Sequence, residues 1–203
     1  MKVYHLTIFS LLLVGSLSGQ QAENAIPLYE YKFSREIDEG LSKGEMHIVK
    51  ASQYYSYIGE YQKALSVPNE FHALEWGFDT LTAGDRIYFE GFRPVNAVTA
   101  IVDRAKNEQI VILNEAHHKP IHRVFTKKLL KGLFNNGYRY FGLEALSNCD
   151  YVPSEVCDSL LNERGYPLNS GLSGTYVTEP QMSNLIREAI DIGFKLFPYD
   201  RFG

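Results

Sequence analysis

The chain has 203 residues, enough for one substantial domain or for a domain with a small helical extension. It is 45% hydrophobic and 22% charged, near the average for globular proteins. With a formal net charge of -4 and no Lys/Arg stripe, it gives no reason to expect a nucleic-acid partner.

Lys2 precedes a nearly unbroken apolar run over residues 6–17 (LTIFSLLLVGSL), and the small residues Ser16, Ser18 and Gly19 stand ahead of Gln20. This is the layout of a secretory signal peptide over residues 1–19, cleaved near Gln20. The run is too short to span a bilayer, and no Cys follows it to carry a lipid. The mature protein is therefore expected to be secreted or periplasmic, without an integral membrane span. Cys149 and Cys157 permit one disulfide in an exported chain, and they equally permit two free thiols.

Residues 20–93 read as a small α-helical region after a polar linker. Ser34 followed by Arg35, Glu36 and Ile37 marks a helix start. Over residues 46–65, Ile48, Ala51, Tyr54, Tyr55, Ile58, Tyr61 and Leu65 recur at three-and-four spacing. With Gly59 at a turn, the stretch YYSYIGEYQKAL is similar to one tetratricopeptide hairpin. Its tyrosines are read as packing between helices. A short helix fits near His72, and His47 and His72 are read as ordinary packed or solvated residues. Glycines 77, 84 and 91 break the pattern that follows.

Residues 94–203 read as an α/β domain. Pro94 suits a first helical turn, with Val95, Val98, Ile101, Val102 and Ala105 on one face. Residues 109–113 (QIVIL) form a short β-branched run, expected to be a buried strand. Residues 121–134 predict a helix whose apolar face includes Ile121, Leu129 and Leu130, stopped at Asn136 and Gly137. Residues 138–143 (YRYFGL) predict a second strand, and residues 145–178 a loop-rich stretch. Pro180 opens another helix, and residues 194–199 (FKLFPY) predict a third strand ending near Pro198. Helix and strand alternating at this spacing mean a partial parallel sheet with crossover helices. Three buried parallel strands need cover on both faces. The expectation is that the chain is a fragment of a longer reading frame; failing that, a partner or the N-terminal helices complete the fold.

Each strand delivers a carboxylate at its C-terminal end: Glu115, Glu144 and Asp200. In an open parallel sheet, ligands bind outside these ends. Three of the chain's six histidines, His117, His118 and His122, fall in the run HHKPIH beside Glu115. Histidine serves as general base or metal ligand near neutral pH, and an adjacent carboxylate orients it. The plainer alternative is a polar helix cap. No HExxH zinc signature, phosphate loop or GxSxG elbow is present, and NEAHH offers no Ser or Cys nucleophile. Water activated by His, with or without metal, is the simplest chemistry. Glu115, His118 and Glu144 are the expected catalytic residues; Glu115, His117, His122 and Glu144 are the expected metal ligands.

At these residues the chain resembles the superfamily that joins erythromycin esterases, ChaN-like haem-binding lipoproteins and Tiki-type proteases. The family mark is a GExxH or GExH element after the first core strand, with a Glu ending the second. Here the element is Asn114–Glu115–Ala116–His117–His118, with Asn114 in place of the glycine. Glu115 and His118 match the esterase form. Glu115 and His117 match the ChaN and Tiki form, and Pro120 with His122 is similar to the ChaN continuation. Glu144 matches the second-strand Glu. Arg123 near the start of the intervening helix and Gly137 at its end are similar too. The later parts of the family domain, which supply further catalytic residues, have no counterpart before Gly203. The resemblance implies an exported hydrolase of ester or amide bonds acting on a small molecule or peptide. Its ChaN branch implies an alternative, a haem- or metal-binding module without catalysis; the tyrosine-rich helices offer another, an inactive interaction domain with those helices as the contact surface. A divalent metal ion is the favoured cofactor over haem.

Overall fold

The computed structural model describes residues 30–76, 80–147, 161, 164–167 and 172–199. The expected signal peptide over residues 1–19, both cysteines and Asp200 lie outside these residues. The described chain combines helices with a two-stranded parallel sheet.

The N-terminal part is built from α1 (Ser34–Ser42), α2 (Ile48–Tyr57) and α3 (Tyr61–Trp76). Gly59, at φ 78°, makes the turn between α2 and α3; an L side chain rarely adopts that backbone, so glycine is needed there. His47 caps α2, its Nδ1 accepting from Val49 N–H at 3.3 Å. A small core forms where Ile37, Ala51, Tyr55 and Ala64 meet. Tyr55 is 1% exposed, and its hydroxyl donates to Asp38 at 2.5 Å. The next helix, α4 (Ala83–Glu90), is unanticipated by the sequence reading. Thr82 and Asp85 cap it reciprocally, and it buries none of its residues.

The second unit contains α5 (Ala97–Ala105), α6 (Ile121–Asn135), β1 (Tyr140–Leu143), α7 (Pro180–Ile192) and β2 (Lys195–Pro198). Helix α5 starts at Ala97, not near Pro94, because the Asn96 side chain accepts from Thr99 N–H and sets the first turn. Val95 is consequently left 73% exposed. Both α6 and α7 end in Schellman closures. Tyr138 N–H reaches back to the Leu133 carbonyl and Phe194 N–H to the Ala189 carbonyl, with Gly137 at φ 102° and Gly193 at φ 103°. Each closure turns the chain straight into a strand. Strands β1 and β2 pair in parallel, Tyr140 opposite Lys195 through Leu143 opposite Pro198. Leu129, Leu130, Leu185, Ile186 and Ala189 make the core beneath the sheet. Gly132 lets α5 and α6 approach closely, since a Cβ there would sit 2.7 Å from Val102.

Residues 109–113 do not join the sheet, which corrects the first of the three expected strands. Their burial still alternates as in a strand: Ile110 and Ile112 are 75% and 81% exposed, while Val111 and Leu113 pack against the core. Side chains, not a ladder, hold the two ends of this run. Tyr138 Oη donates to the Ala105 and Glu108 carbonyls at 2.9 and 2.6 Å before it, and Arg123 grips Glu115 and His117 after it. A cavity of about 1170 Å³ is lined by residues 108–115 and by β1 with its flanks. Among the described residues, no helix is long and apolar enough to cross a membrane.

Replacing Gly132 with Val should push α5 and α6 apart and cost about 1–3 kcal/mol, read as a lower urea midpoint. A second expectation concerns acid. The hydrogen bond from Tyr55, and then Lys63, holds the Asp38 carboxyl below its ordinary value of 3.8. A carboxyl lowered on folding adds stability above its unfolded pKa and loses it as pH falls through the folded pKa. Tyr55→Phe should therefore flatten the loss of stability below pH 3.8, seen in denaturant titrations across that range.

Candidate active site

The site is assembled around a buried cation. Arg123, in the first turn of α6, is 1% exposed. A guanidinium near a helix N-terminus opposes the helix dipole, and burial without partners would cost several kcal/mol. Two carboxylates and a carbonyl answer that cost. Arg123 Nη2 donates to Glu115 Oε1 at 2.6 Å and to the His117 carbonyl at 2.9 Å. Nη1 donates to Glu179 Oε2 at 3.2 Å. The Tyr176 ring lies 5.3 Å from the guanidinium carbon, close enough for a cation–π contact.

Glu179 is itself 1% exposed and is bound on three sides. It caps α7, accepting from Met182 N–H at 2.8 Å, pairs with Arg123, and takes the Tyr61 hydroxyl from α3 at 3.3 Å. The loop before it is strapped to the end of β1: Leu146 bridges Gly174, and Thr175 N–H donates to the Ala145 carbonyl at 2.9 Å. Gly174, at φ 138°, has no room for a Cβ, which would lie 1.9 Å from the Ala145 oxygen. This strap brings Tyr176 beside the histidines.

His117 and Glu144 meet there. His117 Nε2 lies 3.5 Å from Glu144 Oε1, with both side chains partly open to solvent. The imidazole also stacks on Tyr176 at 4.6 Å between centroids. Burial raises the Tyr176 phenol well above its ordinary range, and Glu115 and Glu144 add to the rise. Tyr176 therefore stays protonated as a hydrogen-bond donor. A second cavity, of about 400 Å³ and open to solvent, is lined by Glu115, Ala116, His117 and His118 with Val49, Ser52 and Gln53 of α2.

The sequence-expected residues thus divide. Glu115, His117 and His118 share the small cavity, and Glu115 and Glu144 share the large one. Glu115 is held by Arg123. His122 turns Nδ1 to the Ala116 N–H at 3.0 Å and closes the turn ahead of α6. The fourfold metal set of Glu115, His117, His122 and Glu144 is not assembled. Among the described residues, no three His, Cys, Asp or Glu side chains converge on a metal-sized point. These donors already face a guanidinium, a backbone N–H and one another.

Three residues at the centre were not singled out as site residues. Arg123 carried a readable signal: it falls on the helix face of Leu130, seven positions on, so a cation sits in an apolar stripe. Ile121, expected on that face, is 65% exposed instead. Glu179 was readable as a carboxylate cap directly before Pro180. Tyr176 carried no local signal within its loop.

Comparison with protein-family profiles, with characterised proteins and with solved structures finds no match for this chain.

Arg123→Met should destabilise the protein by about 3–5 kcal/mol, because it strands Glu179 as a buried unpaired charge. Adding Glu179→Gln to Arg123→Met should recover part of that loss. Chemical denaturation of the single and double variants measures the coupling; a purely additive result would show that the pair does not interact.

Proposed function

We propose that this protein is a hydrolase of ester or amide bonds in which His117, oriented by Glu144, takes the proton from water. The observation that carries the reading is the His117 Nε2–Glu144 Oε1 contact of 3.5 Å, beside Tyr176 and between two cavities. A carboxylate at Nε2 fixes the tautomer that bears a proton there and leaves Nδ1 as the basic nitrogen. The water oxygen bonds to the acyl carbon as its proton passes to Nδ1. The bond from that carbon to the leaving oxygen or nitrogen then breaks, and the same proton passes to the leaving group. Tyr176 supplies a hydroxyl donor for the oxygen that becomes negative in between. Glu115 acts through Arg123, which also holds the His117 carbonyl and so sets the imidazole's position.

The resemblance to the esterase branch would give the proton-accepting role to His118, whereas the pairing with Glu144 favours His117. Both line the small cavity. The apolar leader supports an exported enzyme, acting in the periplasm or outside the cell, and the resemblance supports part of an α/β esterase/ChaN-like domain over residues 94–203.

Activity of the full chain on a panel of aryl esters separates these roles. His117→Gln and Glu144→Gln should lower kcat/KM by about 10²–10⁴-fold, the usual worth of a positioned general base. His118→Gln should cost much less. The reading fails if the His117 and Glu144 variants fold and hydrolyse every ester at the parent rate.

A further inference from the structure

The two cavities differ in size and stand side by side at the His117–Glu144 pair. The larger, at about 1170 Å³, exceeds the usual span for drug-sized ligands. Val111, Leu113, Phe141, Leu143, Met182 and Phe197 are among its walls. Its charged side chains stand in two groups: Glu108 and Arg139 where the extended run begins, Glu115 and Glu144 where it reaches the site. The smaller, at about 400 Å³, has Ser52, Gln53, Glu115, His117 and His118 around it together with Val49 and Ala116. Gln53 of α2 offers it an amide that both donates and accepts, while the Ser52 hydroxyl is committed to the Ala64 carbonyl at 2.6 Å. Glu115 lines both. Glu144 and Tyr176, on the wall of the larger, both touch the imidazole of His117, on the wall of the smaller.

We propose that the two cavities are the two halves of one substrate site, which takes an amphiphilic ester or amide with a long apolar acyl chain in the larger and a compact polar alcohol or amine in the smaller. This rests on the hydrolase reading and gives its substrate class. A chain of methylenes suits the larger cavity because its middle carries apolar side chains and no charge. A charged group would lose its hydration there without a partner. The scissile carbonyl falls where the cavities meet, next to the His117–Glu144 pair and the Tyr176 hydroxyl. In this arrangement α2 is part of the active site, and Gln53 is a specificity residue for the leaving group.

Two measurements on the full chain test this. The first is kcat/KM for p-nitrophenyl esters from acetate to decanoate. It should rise by about two- to fourfold per added methylene, the worth of burying each one. Val111→Trp, which fills part of the larger cavity, should shift the optimum to shorter chains. The second measures binding of methyl alkyl ketones, from methyl hexyl to methyl decyl ketone, which lack a leaving group. Their affinity should follow the same trend in the parent and in His117→Gln, and weaken in Val111→Trp. Gln53→Ala should erase a preference for glyceryl decanoate over methyl decanoate. Ketone binding with the expected trend but no ester turnover would overturn the hydrolase reading while leaving the apolar site standing. Turnover without any chain-length trend, or cleavage confined to peptides, would overturn this proposal while leaving the hydrolase reading standing.

Discussion

The buried guanidinium of Arg123 is the constraint on which the second half of the molecule depends. Its partners come from three places: Glu115 and the His117 carbonyl ahead of α6, Glu179 at the start of α7, and Tyr176 from the loop between β1 and α7. A buried ion pair is weak evidence of net stability, since desolvation offsets most of the attraction. What it supplies here is position. An apolar side chain at 123 could fill the space, but it could not fix the His117 carbonyl, cap-bearing Glu179 and Glu115 relative to one another. The Arg123 Nε has no partner among the described residues.

The same carboxylate joins the two halves of the chain. Glu179 receives the Tyr61 hydroxyl from α3, Gln181 donates to that hydroxyl, and Tyr57 reaches the Thr175 carbonyl. The N-terminal helices are thereby held against the loop that carries Tyr176 and Glu179, and α2 becomes a wall of the small cavity. This explains how tyrosines spaced along two helices matter to a site more than fifty residues away: their rings pack between helices, and their hydroxyls reach across.

Elements stabilised by local rules were legible in the sequence. The stops of α6 and α7 followed from glycine at the left-handed position, and the α7 start from proline. The strands after both helices were placed to within two residues. The run 109–113 misled because β-branched composition describes a strand's side chains and says nothing of a partner for its backbone. It is neither paired nor fully buried: Ile110 and Ile112 face outward and only Val111 and Leu113 reach the core. In the site, Glu115, His117, His118 and Glu144 were legible because polar residues gathered at strand ends. Arg123, Glu179 and Tyr176 meet through contacts that cross 56 residues of chain, and no window of sequence contains them together.

The way the two units touch has a kinetic consequence. The hydrogen bonds from Tyr57 and Tyr61 to the second unit are long, at 3.4 and 3.3 Å, and each bridges 118 positions. Each unit has its own buried cluster, so parting them exposes little of either core. Separation of the helices from the loop that carries Tyr176 and Glu179 is therefore the kind of opening that lies far below global unfolding in free energy. Val49, Ser52 and Gln53 of α2 form one wall of the small cavity, so a bound molecule would feel such an opening as the withdrawal of a wall.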